Sequence, residues 1–78
     1  MNKKQYAILD GYSNNFIKEV TFENGKWKKC SVSTDIRACL ADLETAQKIC
    51  KSLNENDYFG KQGLGKMYSI YKITIKEI

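Results

Sequence analysis

Two short runs in this chain have the composition of chemical sites. Gly60-Lys61-Gln62-Gly63-Leu64-Gly65-Lys66 fits the first seven positions of G-x-x-x-x-G-K-[ST]. In a true phosphate loop, backbone N–H groups cradle phosphates and the lysine reaches them. The next residue here is Met67, which has no hydroxyl for magnesium. The run also follows a helical pattern and precedes a strand pattern, whereas the motif needs strand, loop, helix. A basic loop that touches a phosphate or an acidic partner is the plainer expectation.

The second run, Lys26-Trp27-Lys28-Lys29, sets an aromatic ring among cations. Bases of a single-stranded nucleic acid stack on such a ring while lysines follow the backbone. Lysine on an outer strand also guards against edge pairing, which gives the run an ordinary structural use. Acid–base catalysis has less to draw on. The chain contains no histidine, the commonest general base. Cys30, Cys39 and Cys50 are an odd set with no C-x-x-C, a poor framework for disulfides or zinc. Only Cys30, after Lys28 and Lys29, has a basic setting that favours a thiolate. The expectation is three small apolar residues, buried or half-buried, no catalytic residue, no metal and no cofactor. Five tyrosines and Trp27 supply the surface that protein interfaces favour. Tyr12 and Tyr58 fall in expected loops, where core packing explains them least.

These residues must be held by a small scaffold. With 78 residues the chain makes one domain, which buries roughly 60% of its unfolded surface. That leaves little room for a deep pocket, so a flat or shallow binding surface is expected. Apolar residues make up 42% and charged residues 28%, as in folded proteins. No apolar run approaches the ~20 residues of a membrane span. The lysine-bearing start meets Asp10 too soon for a signal peptide, so a cytoplasmic protein without a membrane partner is expected. The net charge of +4 permits an acidic partner without demanding one.

Hydrophobic periodicity gives the order β-β-β-(β)-α-β. Lys4–Leu9 reads as a strand, followed by turn formers from Asp10 to Asn15. Phe16–Phe22 alternates with Phe16, Val20 and Phe22 on one face and Ile17, Glu19 and Thr21 on the other. Asn24-Gly25 is the strongest short hairpin signal, so Trp27–Ser33 folds back on the strand before it. Ile36–Leu40 alternates as a short further strand. Asp42 caps a helix running to Leu53 or Asn54, with Leu43, Ala46, Ile49, Cys50 and Leu53 as its apolar stripe. A glycine-containing loop extends to Lys66, and Met67–Ile78 forms the last strand. Tyr71, Ile73 and Ile75 are expected to face the helix, leaving Ile17, Thr21, Ile70 and Lys72 on a solvated outer sheet face. The fold class is α+β, a two-layer domain with a mostly antiparallel sheet of four or five strands covered on one face by one helix.

The opening MNKKQYAILDGY, the cap-and-helix run LADLETAQKICKSLNEN and the closing YSIYKITIKEI together resemble the small accessory proteins encoded by phages and other mobile elements of AT-rich Gram-positive bacteria. The absence of proline and the abundance of Lys, Asn and Ile point the same way. Many such proteins, anti-CRISPR proteins among them, inhibit host or defence machinery stoichiometrically, and the resemblance implies that role. A basic inhibitor suits an acidic protein surface or guide RNA, not DNA mimicry. Two other expectations stand beside it: a nucleic-acid-binding module built on Trp27, and an oligomeric sponge for a phosphorylated small-molecule signal. Across these, the candidate binding residues are Tyr12, Lys26, Trp27, Lys28, Lys29, Tyr58, Lys61 and Lys66.

Overall fold

A computed structural model describes residues 3–74. The elements are β1 (Tyr6–Asp10), β2 (Asn15–Glu23), β3 (Lys26–Ser33), a 3-10 turn (Ile36–Cys39), α1 (Leu43–Asn56), a one-turn helix α2 (Tyr58–Lys61) and β4 (Tyr68–Lys72). The strands form one antiparallel sheet in the order β3-β2-β1-β4, so the first strand in the chain is central. Helix α1 lies on one face, which makes the domain a two-layer α+β structure as the periodicity implied.

Local chemistry accounts for the best-defined elements. Asp42 accepts from the Thr45 N–H at 3.1 Å and from the Thr45 hydroxyl at 2.7 Å, closing the first turn of α1. Ala46, Ile49, Cys50 and Leu53 are buried against Ile8, Ile17 and Tyr68, while Leu43 stays exposed. At the β2–β3 turn, Asn24 and Gly25 have φ of 52° and 76°, the paired positive values of a type I′ hairpin.

Several expectations change. Ile36–Leu40 is not a strand: Ile36–Cys39 winds as a 3-10 turn, because Asp35 accepts from the Arg37 N–H at 3.1 Å and starts a tight turn instead. Beyond it Ala41 forms a two-hydrogen-bond bridge to Tyr6, filling the edge of β1 that β2 has left. β2 pairs with β1 only at Leu9–Phe16 and Asp10–Asn15 before its ladder with β3 turns irregular between Ile17 and Val20. That irregularity resets the side-chain alternation. Ile17 and Val20 therefore both reach the helix-side core, and Ile17 is buried rather than on a solvated outer face.

The face assignment of the last strand also reverses. Ile70 pairs with Ile8 and Tyr68 with Asp10, placing Tyr68 and Ile70 under the helix. Tyr71 turns to the opposite face, where its ring meets Phe16 edge-on at 6.3 Å. That outer face carries Ala7, Leu9, Phe16 and Tyr71, an apolar band. The expected strand residues Ile75 to Ile78 lie outside the described residues. Finally, α1 continues to Asn56, and the expected loop from Asn54 contains α2.

Candidate functional site

The loop aromatics meet at one corner of the molecule, and a single carboxylate arranges them. Asp57 leaves α1 in an extended conformation. Its Oδ2 accepts from the Phe59 N–H at 3.1 Å and so caps α2. Its Oδ1 accepts from the Tyr12 hydroxyl at 2.6 Å, tying the β1–β2 turn to α2 across 45 residues of chain. The bond to Asp57 pushes the Tyr12 phenol up to about 12, so Tyr12 remains a donor at all ordinary pH. Tyr12 lies 6.4 Å from Phe59 and 6.3 Å from Tyr68, and Tyr58 meets Phe59 edge-on at 5.4 Å. Tyr12, Tyr58 and Phe59 keep 51%, 66% and 38% of their surface in solvent, an apolar patch that the fold leaves uncovered.

Gly60 allows α2 to sit where it does. A Cβ there would overlap the Asn54 carbonyl at the end of α1. Gly11 plays a similar part in the β1–β2 turn, where a Cβ would come within 2.8 Å of the Met67 carbonyl oxygen.

Beneath Tyr12 lies an ion pair with a buried carboxylate and a partly exposed ammonium. Asp10, with no exposed surface, accepts from Lys29 Nζ at 2.6 Å, from the Ser13 hydroxyl at 2.9 Å and from the Tyr12 N–H at 3.1 Å. Burial opposes the charge on Asp10, but the Lys29 ammonium and the Ser13 and Tyr12 donors outweigh it and hold the carboxyl below its usual 3.8. Burial opposes the Lys29 charge as well, and Asp10 outweighs it, raising the ammonium above 10.5. The same ammonium sits 5.7 Å from the Tyr12 ring centre and 5.8 Å from that of Tyr68. Lys29 thus pins β3 to the β1–β2 turn and holds Tyr12 from below.

The expected site residues separate into three groups. Tyr12, Tyr58 and Lys29 come together, and Lys61 closes the exposed turn of α2 beside them. Lys66 instead lines a groove beside α1. Lys26, Trp27 and Lys28 lie at the far end of the β2–β3 hairpin. There Trp27 is half-buried against the core, its backbone N–H donates to the Ser52 hydroxyl at 3.1 Å, and its ring is 5.1 Å from exposed Phe22. Lys28 is 3.3 Å from Glu23 and Lys29 is paired with Asp10. Of the Lys26–Lys29 run, only Lys26 lacks a carboxylate partner among the described residues.

The phosphate-loop pattern folds into something else. The N–H groups of Lys61, Gln62, Gly63 and Leu64 donate to the carbonyls of Asp57, Tyr58, Gly60 and Phe59. These donors close the turn after α2 and are not aimed at a ligand. The thiols also differ from a catalytic setting. Burial pushes the Cys39 and Cys50 thiols up, and Cys30 is exposed, where a buried or half-buried thiol was expected. Sequence reasoning missed Asp57 and Phe59. The available signal was Asp57 directly before an aromatic pair, a cap at the start of a second helix.

No family model matches this chain, and no curated protein or solved structure proves similar to it.

Proposed function

We propose that this chain is a small binding protein that acts stoichiometrically, covering an acidic surface on a larger protein. In the setting its sequence resembles, that partner is a host or defence protein of the bacterial cytosol, inhibited or modulated by occupation. The observation that carries the reading is the corner formed by Tyr12, Tyr58 and Phe59, exposed yet held in place by Asp57. Aromatic side chains already fixed in position lose little entropy on docking, and they dominate interface energetics. Lys61 beside the patch and the net charge of +4 favour a partner of opposite sign.

The test uses the immobilised chain as bait in a Gram-positive lysate, with and without nuclease, alongside a Tyr58→Ala/Phe59→Ala variant. The reading expects a discrete protein that survives nuclease, is lost with the variant, and binds the purified chain at equal stoichiometry. Retention of the same protein by the variant refutes the patch. Capture that disappears with nuclease shifts the function to nucleic acid.

A further inference from the structure

A second surface, sharing no residue with the aromatic corner, follows from how β4 ends the sheet. Among the described residues no strand pairs with the outer edge of β4. The hydrogen bonds show which residues point that way. The Met67 carbonyl accepts from Gly11 and the Ile73 N–H donates to Gln5, so odd-numbered residues face β1. Tyr68, Ile70 and Lys72 therefore direct their N–H and C=O groups outward.

Asn54 answers the first of these. Its side-chain amide donates to the Tyr68 carbonyl at 3.0 Å, and its carbonyl accepts from the Tyr68 N–H at 3.1 Å. One side chain thus mimics a neighbouring strand for a single residue. Ile70 and Lys72 have no such plug among the described residues. Alongside them runs a groove of about 500 Å³ between the edge and the helix, lined by Ile70, Gln47, Cys50, Lys51, Asn54 and Lys66. Glu55 also lines it, 4.0 Å from Lys51.

The geometry points to a strand-addition site: an extended, acidic peptide segment pairs with Ile70 and Lys72 and lays alternate side chains into the groove against α1. Main-chain hydrogen bonds supply the affinity in this mode, and the groove supplies the selection. Lys51, Lys66 and Lys72 outnumber Glu55 along its path, which selects acidic over basic segments. The same charges argue against a second copy of this chain, because edge-to-edge pairing would bring both sets of lysines together. Ile70 and Cys50 together give the groove an apolar floor, so the favoured segment alternates acidic and aliphatic residues.

The experiment titrates the isotopically labelled protein with a capped hexapeptide alternating glutamate and valine, and with its lysine–valine counterpart. Binding of the acidic peptide should shift the Ile70 and Lys72 amides and slow their hydrogen exchange. Lys51→Glu/Lys66→Glu should weaken it at least tenfold, and N-methylation of the peptide's edge-facing amides should abolish it. Both lysines are exposed, so the variant keeps its fold, which the unchanged remainder of the spectrum verifies. Silence of the Ile70 and Lys72 amides at millimolar acidic peptide overturns the proposal, as does equal binding of the two peptides. Protection of those amides on raising protein concentration alone, with a doubled mass, overturns it in favour of a second copy.

Discussion

Replacing Lys29 with methionine isolates the buried pair. Methionine keeps the apolar stem between Tyr12 and Tyr68 but removes the ammonium, leaving Asp10 with two neutral donors and no exposed surface. Orphaning one member of a buried ion pair costs about 3–5 kcal/mol. The Lys29 side chain keeps 30% of its exposure, which places the cost near the lower end, about 3 kcal/mol. A domain of 78 residues has roughly 4–12 kcal/mol in total, so the variant loses a large share and melts about 12–24 °C lower.

The pH dependence fixes the cause. The folded-state pKa of Asp10 is depressed, so its stabilisation is present above pH 3.8 and lost as pH falls through the lowered value. That of Lys29 is raised, so its stabilisation is present below pH 10.5 and lost as pH rises through the raised value. Urea melts of the wild type, Lys29→Met, Asp10→Asn and the double variant, at neutral pH and again well below pH 4, complete the cycle. The deficit of Lys29→Met should shrink in strong acid, where Asp10 becomes neutral in either protein. It should also shrink in the Asp10→Asn background. A deficit that is the same in both backgrounds and at both pH values refutes the ion-pair account.

The Asp57–Tyr12 bond predicts a titration. Tyr12 should form tyrosinate only near pH 12, and Asp57→Asn should return it toward 10, read from its ring carbon resonance. Gly60→Ala should cost about 1–3 kcal/mol by overpacking and displace α2, seen as shifted Phe59 resonances together with loss of partner capture. Gly63→Ala meets no neighbour, and its φ of 67° alone should cost about 1–2 kcal/mol in a urea melt while leaving Phe59 in place.

What the sequence disclosed was local. Asp42 and the stripe through Leu53 specified α1, and Asn24-Gly25 specified the β2–β3 turn, because the signals lie within one turn of the chain. The irregularity between Ile17 and Val20 left no such signal, and its two register shifts, which skip Lys18 on β2 and Cys30 on β3, exchanged the faces on either side of it. In β4 either alternation contains aromatic and aliphatic residues. The choice was made by Asn54 and Ile8, which are distant in the chain. Ile36–Leu40 shows the ambiguity of a five-residue pattern, which fits a strand until Asp35 closes a tight turn. Tyr12 and Tyr58 were legible as aromatics without a core to serve. Their convergence was not, since Asp57 reaches Tyr12 and Lys29 reaches Asp10 only after the sheet has formed.

The central position of β1 governs how this molecule is made. Among the described strands, β1 precedes β2–β4 in the chain yet lies inside the sheet, and it awaits β4, synthesised more than sixty residues after β1 begins. Until Tyr68–Lys72 emerge from the ribosome, one flank of β1 stays open and α1 lacks Tyr68 and Ile70 beneath it. Folding therefore completes late, and the nascent chain spends its synthesis with a sticky strand that chaperones or neighbouring chains can seize. Any shortening of the chain before Tyr68 makes that exposure permanent, yielding an aggregating polypeptide rather than a smaller domain.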